Sequence, residues 1–255
     1  MATYFDNLII QAVVLGNACN ANNWYTRVTS GGTFAWTGKG AQTGYATASD
    51  YYLPLSTVTA HASSKASPEA DSYTTDASGV TAHAFVIDGG DTLYYSTTNV
   101  LKSNKGTLAF KWRAPLSYNK YQANFYLFYA NNLVRIYYNY SDYKFYFQFY
   151  NGSDWTTAQA VTDAQSFAAA AWLKFCLQWN LESTGDTISA YIDVAATAAA
   201  TYSSTWTEQS VPATMYWGSD PSGAYQSDGA FDELRIYAEE LSAIQRTTLF
   251  DTIWG

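Results

Sequence analysis

The chain has 255 residues, of which 48% are apolar, 18% aromatic and 13% charged, and its formal net charge is −8. Too few charges exclude a long helical bundle or coiled coil, and too many rings exclude intrinsic disorder. The acidic balance argues against nucleic acid as a partner, and the chain has no apolar run long enough for a transmembrane helix, so membrane insertion is not expected. What remains is a β-rich globular chain, because Tyr, Trp, Thr and Ser suit pleated, half-buried surfaces. The start Met1–Asp6 carries no basic residue and the apolar stretch Leu8–Leu15 is broken by Gln11, so no secretory signal is read.

Residues 1–70 are rich in Ala, Thr, Ser, Asn and Gly and are punctuated by Gly31-Gly32 and by Gly38 and Gly40. They read as an N-terminal arm or small β subdomain, suited to docking on an assembly, with residues 71–255 as the main domain. Val80–Ile87 and Thr92–Tyr95 are strand-like and are separated by the turn Asp88-Gly89-Gly90-Asp91. Gly106–Arg113 alternates, with Leu108, Phe110 and Trp112 on one side, and Pro115 ends it.

Three strand-like runs follow: Asn124–Ala130, Leu133–Tyr140 and Tyr143–Tyr150. Asn131-Asn132 and Ser141-Asp142 between them suit tight hairpins, since Asn and Asp tolerate positive φ. Two-residue loops fix the register. Ala130 then pairs with Leu133 and Tyr140 with Tyr143. Phe125, Leu127 and Tyr129 oppose Tyr138, Ile136 and Val134, which oppose Phe145, Phe147 and Phe149; this face is the expected core. The other face carries the rows Asn124/Asn139/Lys144, Tyr126/Tyr137/Tyr146 and Phe128/Arg135/Gln148.

Asn151-Gly152 gives a further hairpin signal. Leu173–Leu181 alternates strongly, and Thr187–Asp193 is its expected hairpin partner. Met215–Gly218 and Ala230–Tyr237 are late strands, and Glu239–Phe250 has helical spacing with Ser242 as its cap. Of the two cysteines, Cys176 lies inside a strand and reads as a buried free thiol rather than a bridge to Cys19. Trp155, Trp206 and Trp217 lie in or near loops; a buried structural ring is the default for each, and a place on a glycan-binding or subunit-packing surface is the alternative.

Residues of about 75–250 resemble the concanavalin A-like, laminin-G-like jelly-roll family. Asp76–Gly79 with Phe85–Asp91, the strand Gly106–Trp112, and the pair Trp172–Phe175 and Ile188–Asp193 carry part of the likeness. The most specific segment is Gly229-Ala230-Phe231-Asp232-Glu233-Leu234-Arg235-Ile236-Tyr237, closing with Leu241-Ser242. The resemblance implies an all-β, two-sheet antiparallel jelly-roll sandwich with a short C-terminal helix. It also implies one structural calcium ion between the opening loop and the closing strand, where Asp88, Gly89, Asp91 and Asp232 stand at the matching places. Asp88 and Asp91 equally suit Asx turns. Fold does not fix function here, because the same sandwich hosts lectins, hydrolases and structural modules.

Retaining glycan cleavage needs two carboxyl groups about 5 Å apart on one face. The six glutamates, Glu69, Glu182, Glu208, Glu233, Glu239 and Glu240, form no such pair within an expected strand. His61 and His83 have no metal spacing, and no G-x-S-x-G occurs. Sugars bind where rings stack on C–H faces and amides or Arg reach hydroxyls. Asn124, Tyr126, Arg135, Tyr137, Asn139, Tyr146 and Gln148 supply that combination, and the same face suits packing on a neighbouring subunit. The expected role is therefore non-enzymatic: a surface module of an assembled particle, such as a virion decoration, tail or fibre protein, located on the virion or an extracellular surface. Its partners would be other structural subunits, copies of itself, or cell-surface glycans. A free lectin-like module is the alternative, and a polysaccharide-cleaving enzyme comes third.

Overall fold

The computed structural model describes residues 101–181 and 186–253, together with Leu93–Thr97 and short earlier strands. In chain order the strands are β1 (Thr26–Ser30), β2 (Thr33–Thr37), β3 (Tyr51–Leu53), β4 (Ala62–Ser63), β5 (Tyr73–Thr74), β6 (Ala84–Val86), β7 (Leu93–Ser96), β8 (Lys105–Arg113) and β9 (Phe125–Ala130). They continue with β10 (Val134–Asn139), β11 (Lys144–Phe149), β12 (Ala158–Val161), β13 (Trp172–Asn180), β14 (Asp186–Ile192), β15 (Ala200–Ser204), β16 (Thr214–Trp217) and β17 (Ala230–Tyr237). One sheet has the order β12-β11-β10-β9-β16-β7-β4; the other runs β1-β2-β3-β17-β8-β13-β14-β15, with β5 and β6 joined to β17. All pairings are antiparallel, and the two sheets stack as the jelly-roll sandwich expected. Beyond these short strands, residues 1–70 lie outside the described residues, as do Cys19, His61, Glu69, His83 and Glu182.

Alternation on both sheets sends one side of each strand into a shared core. Phe110 on β8 stacks on Phe175 of β13 at 5.0 Å and meets the edge of Trp217 on β16, in the opposite sheet, at 5.3 Å. Leu173, Phe175, Leu177 and Trp179 are all buried in this layer, as their alternation requires.

The back of β13 is buried too, and the reason lies after β17. Helix α1 (Ala243–Thr247) starts at a capping box: Ser242 Oγ accepts from the Gln245 N–H, and the Gln245 side chain accepts from the Ser242 N–H. It continues as a π-helical turn, Thr248–Ile253. Leu241, Leu249 and Phe250 form a second apolar cluster against Ala109, Cys176, Tyr191 and Tyr237 on the outer side of the ten-stranded sheet. Gln178 Nε2 donates to the Leu241 carbonyl at 2.8 Å, and Lys174 Nζ to that of Phe250 at 2.8 Å. Cys176 is a free, buried thiol, and burial pushes its pKa up to about 12.

The hairpin β10–β11 has the register read from the sequence: Tyr138, Ile136 and Val134 oppose Phe145, Phe147 and Phe149. The hairpin β9–β10 differs by one residue at its turn. Val134, not Leu133, pairs with Ala130, and Asn132 adopts φ +54°. The loop is therefore three residues long, a turn closed by the Leu133 N–H on the Ala130 carbonyl at 3.1 Å. Near Leu127 a bulge restores the expected register, so Tyr137 faces Tyr126 and Tyr138 faces Phe125. As a consequence Leu127 and Phe128 are both buried, and Tyr129 turns to the outside. The expected placing of Tyr129 in the core and Phe128 outside is corrected: the outer row is Tyr129/Arg135/Gln148. The connection after Tyr150 is also longer than a tight hairpin, since Phe149 pairs with Ala158.

Candidate functional site

The outer side of the seven-stranded sheet carries the tyrosine row Tyr126/Tyr137/Tyr146 across β9, β10 and β11. Tyr137 and Tyr146 stack at 4.8 Å with 17° between planes, and Tyr126 meets Tyr137 edge-on at 6.1 Å. Arg135 stands beside this row. Its Nε donates to Gln148 Oε1 at 2.6 Å and its Nη1 to the Tyr126 hydroxyl at 3.3 Å. Gln148 is 1% exposed and donates onward to Gln159 at 2.7 Å, so it holds the guanidinium from beneath.

Two loops complete the site. The loop between β11 and β12 is tied by Asn151 and Asp154. Asp154 Oδ1 accepts from the N–H groups of Thr156 and Thr157 at 2.7 and 2.8 Å, which holds its carboxyl well below the usual carboxylate range. This knot presents Trp155, whose ring lies 4.4 Å from the Arg135 guanidinium and also meets Tyr129 and Tyr150. The loop between β16 and β17 brings Tyr225, 56% exposed at φ +54°. Its carbonyl accepts from the Tyr126 N–H at 2.8 Å, and its ring meets Tyr126 at 5.5 Å. Asn124, Phe125, Tyr126, Arg135, Tyr137 and Tyr225 line a depression of about 190 Å³.

The seven residues read from the sequence therefore separate into different jobs. Asn124, Tyr126, Arg135 and Tyr137 line the depression. Gln148 orients Arg135. Asn139 spends its side-chain oxygen on the turn, accepting from Ser141 N–H and Oγ, and Tyr146 donates to Asp142 at 2.6 Å. That bond to a carboxylate, with burial, pushes the Tyr146 phenol up to about 12. Burial likewise raises Tyr126, Tyr129 and Tyr137, against the opposing pull of Arg135, so the face keeps neutral phenols. Tyr129 and Tyr225 were not among the expected residues, and Trp155 was expected on this surface only as the alternative to burial. Two of them come from loops, where no periodicity marks a residue; an aromatic flanked by turn formers is the only signal.

The acids around the depression are engaged. Asp142 accepts from Tyr146 and from the Lys144 N–H, and Asp220 from Ser222 and the Ala224 N–H. On the other sheet Glu233 pairs with Arg235 at 2.5 Å. Of the calcium positions, Asp88, Gly89 and Asp91 lie outside the described residues. Asp232 is buried directly across from Lys111, whose ammonium feels its charge. Among the described residues no group of three or more His, Cys, Asp or Glu is placed to hold a metal ion.

The arrangement is that of a stacked-sheet module with one aromatic, polar face. The family model for the concanavalin A-like lectin/glucanases superfamily matches residues 88–245. The chain belongs to that superfamily. Similar solved structures include a mutant of HCR/D (TM-score 0.57, 11% identity, 92% of this chain and 53% of that one) and the botulinum neurotoxin serotype D binding domain (0.55, 10%, 92% and 53%). The receptor-binding domain of a botulinum neurotoxin C/D mosaic serotype is a third (0.54, 11%, 68% and 43%). The chain spans about half the length of these structures, and likeness at this identity is one of concanavalin A-like fold. No curated protein matches its sequence. Among the described residues no helix is long and apolar enough to cross a membrane.

Proposed function

We propose that this concanavalin A-like chain is a non-enzymatic binding module whose tyrosine face takes a saccharide. The observation that carries this reading is the depression itself. Rings of Tyr126, Tyr137 and Tyr225 offer faces and edges to C–H surfaces, while Arg135 and Asn124 offer polar groups to hydroxyls. The acids near it are spent on turns and on Tyr146, which leaves the site suited to holding rather than cleaving. Two of the similar structures are described as a binding domain and a receptor-binding domain, in accord with a contact role. A glycan array probed with the purified chain tests it. Binding lost about tenfold in Tyr137→Ala, whose ring stacks on Tyr146, is the expected result. No retained glycan at millimolar sites would refute it.

In the same reading the module works on an assembled particle, of the virion decoration, tail or fibre kind, through contacts with other subunits as well as with glycans. The observation favouring subunit contact is the same ring-rich face in a chain with 13% charged residues. Mass photometry checks it: self-association abolished by Trp155→Ala supports a subunit interface, and a monomer at all concentrations opposes one.

A further inference from the structure

We infer that the saccharide taken by this face is acidic, with its carboxylate gripped by Arg135. The inference rests on the saccharide reading above and names its ligand class. Arginine has five N–H donors in a planar fork. Here one goes to Gln148 and one to Tyr126, and the other three find no protein acceptor among the described residues. No carboxylate among the described residues lies within ion-pair distance of Arg135. Its charge is instead framed by rings: Trp155 at 4.4 Å, Tyr137 at 5.4 Å and Tyr126 at 5.9 Å.

The N–H groups that Arg135 does not use in the protein are open to solvent at the depression, and cation–π contact supplies only part of what a carboxylate would. The side chain is also held in place before any ligand arrives. Gln148 fixes Nε, Gln159 fixes Gln148, and the Asp154 knot holds Trp155 over the guanidinium. A preset fork beside a lined depression matches a planar carboxylate attached to a sugar ring, where the two grips are bidentate and the ring rests on Tyr126, Tyr137 or Tyr225. The chain carries net charge −8 and Asp142 and Asp220 stand near the row, so the pull on an anion comes from Arg135, the charged residue lining the depression. The nearby phenols stay neutral and do not oppose it.

The test is an array on which each acidic glycan stands beside its carboxyl methyl ester, for example oligogalacturonate and its fully esterified form, and sialyl glycans and their esters. The rings are the same and only the charge differs. The acid should be held about tenfold or more tighter than its ester. Arg135→Gln should bring the ratio to about one by weakening the acid alone, and Arg135→Lys should restore part of it, with charge but no fork. Thermal melts of both variants show whether the fold persists. Equal retention of acid and ester by the unaltered chain, or a preference that survives Arg135→Gln in a folded variant, overturns the inference and leaves a neutral-sugar site standing. Retention of no glycan in either form overturns the saccharide reading as well.

Discussion

Replacing Trp217 separates two contributions that its position combines. The residue is fully buried and joins the sheets: it meets Phe128 of its own sheet at 4.8 Å, and Phe110 and Phe231 of the other at 5.3 and 6.2 Å. Its indole N–H finds no protein acceptor among the described residues. Trp217→Ala removes the ring and leaves a cavity, at a cost of about 3–5 kcal/mol. Trp217→Phe keeps a ring against Phe110 and Phe128 and removes the orphaned donor, whose burial costs about 1–3 kcal/mol. That relief offsets most of the lost volume, so the net cost should stay under about 1.5 kcal/mol. For a chain of this size each kcal/mol moves the melting temperature about 2–4 °C, giving a drop of about 6–20 °C for Ala and under about 6 °C for Phe. Calorimetry or circular dichroism melts of the three proteins measure this directly. If Trp217→Phe proves as damaging as Trp217→Ala, the donor is satisfied and the packing account of the core is wrong.

Three further outcomes follow from the site and its supports. Ultraviolet difference titration should show the face tyrosines ionising above the free phenol value, Tyr146 near 12, with Asp142→Asn lowering it because the hydrogen bond is the larger cause. A group whose folded pKa is raised loses its stabilising share as pH climbs from the unfolded value, so the melting temperature should fall between pH 10 and 12, and less so in Asp142→Asn. In a Cys19→Ser background, Ellman's reagent should titrate no thiol in the native protein and one after denaturation, since Cys176 is buried under Leu249 and Phe250; reaction in the native state would mean the C-terminal segment lifts. Gly106→Ala should cost several kcal/mol, because the new Cβ would lie 2.6 Å from the Trp179 ring and 3.0 Å from the Tyr237 carbonyl; a melt unchanged within 2 °C would contradict that crowding.

The three-ribbon region was legible because its pattern is dense and its turns are short. Alternation in Val134–Asn139 and Lys144–Phe149 placed six core residues and the tyrosine row without help from the rest of the chain. What misled was the pair Asn131-Asn132, which suits a two-residue turn as well as a three-residue one. Choosing between them depends on where Leu133 buries its side chain, which is a tertiary matter. The neighbours Leu127 and Phe128 were the available hint, since two adjacent apolar residues in an alternating strand signal a bulge. Strand β12, with its Ala-Gln-Ala-Val sequence, has weak strand propensity and forms because β11 offers it an edge. The burial of Cys176 was read from its strand, but that of Gln178 on the same back of β13 depends on Leu241, more than sixty residues later, and no local pattern announces it. Trp155 and Tyr225 joined the site by the same kind of distant closure.

The C-terminal helix fastened over the ten-stranded sheet makes the molecule one-sided. Leu241 before the helix and Leu249 and Phe250 after it pack on the outer side of that sheet, away from the tyrosines, so a support gripping that end would hold every copy with its rings facing outward. Feeble individual grips displayed in one direction reinforce one another, by about 10²–10⁴ when spacing permits simultaneous engagement. On the reading proposed above, copies arrayed on one support would together hold a glycan-bearing target that no single copy would retain.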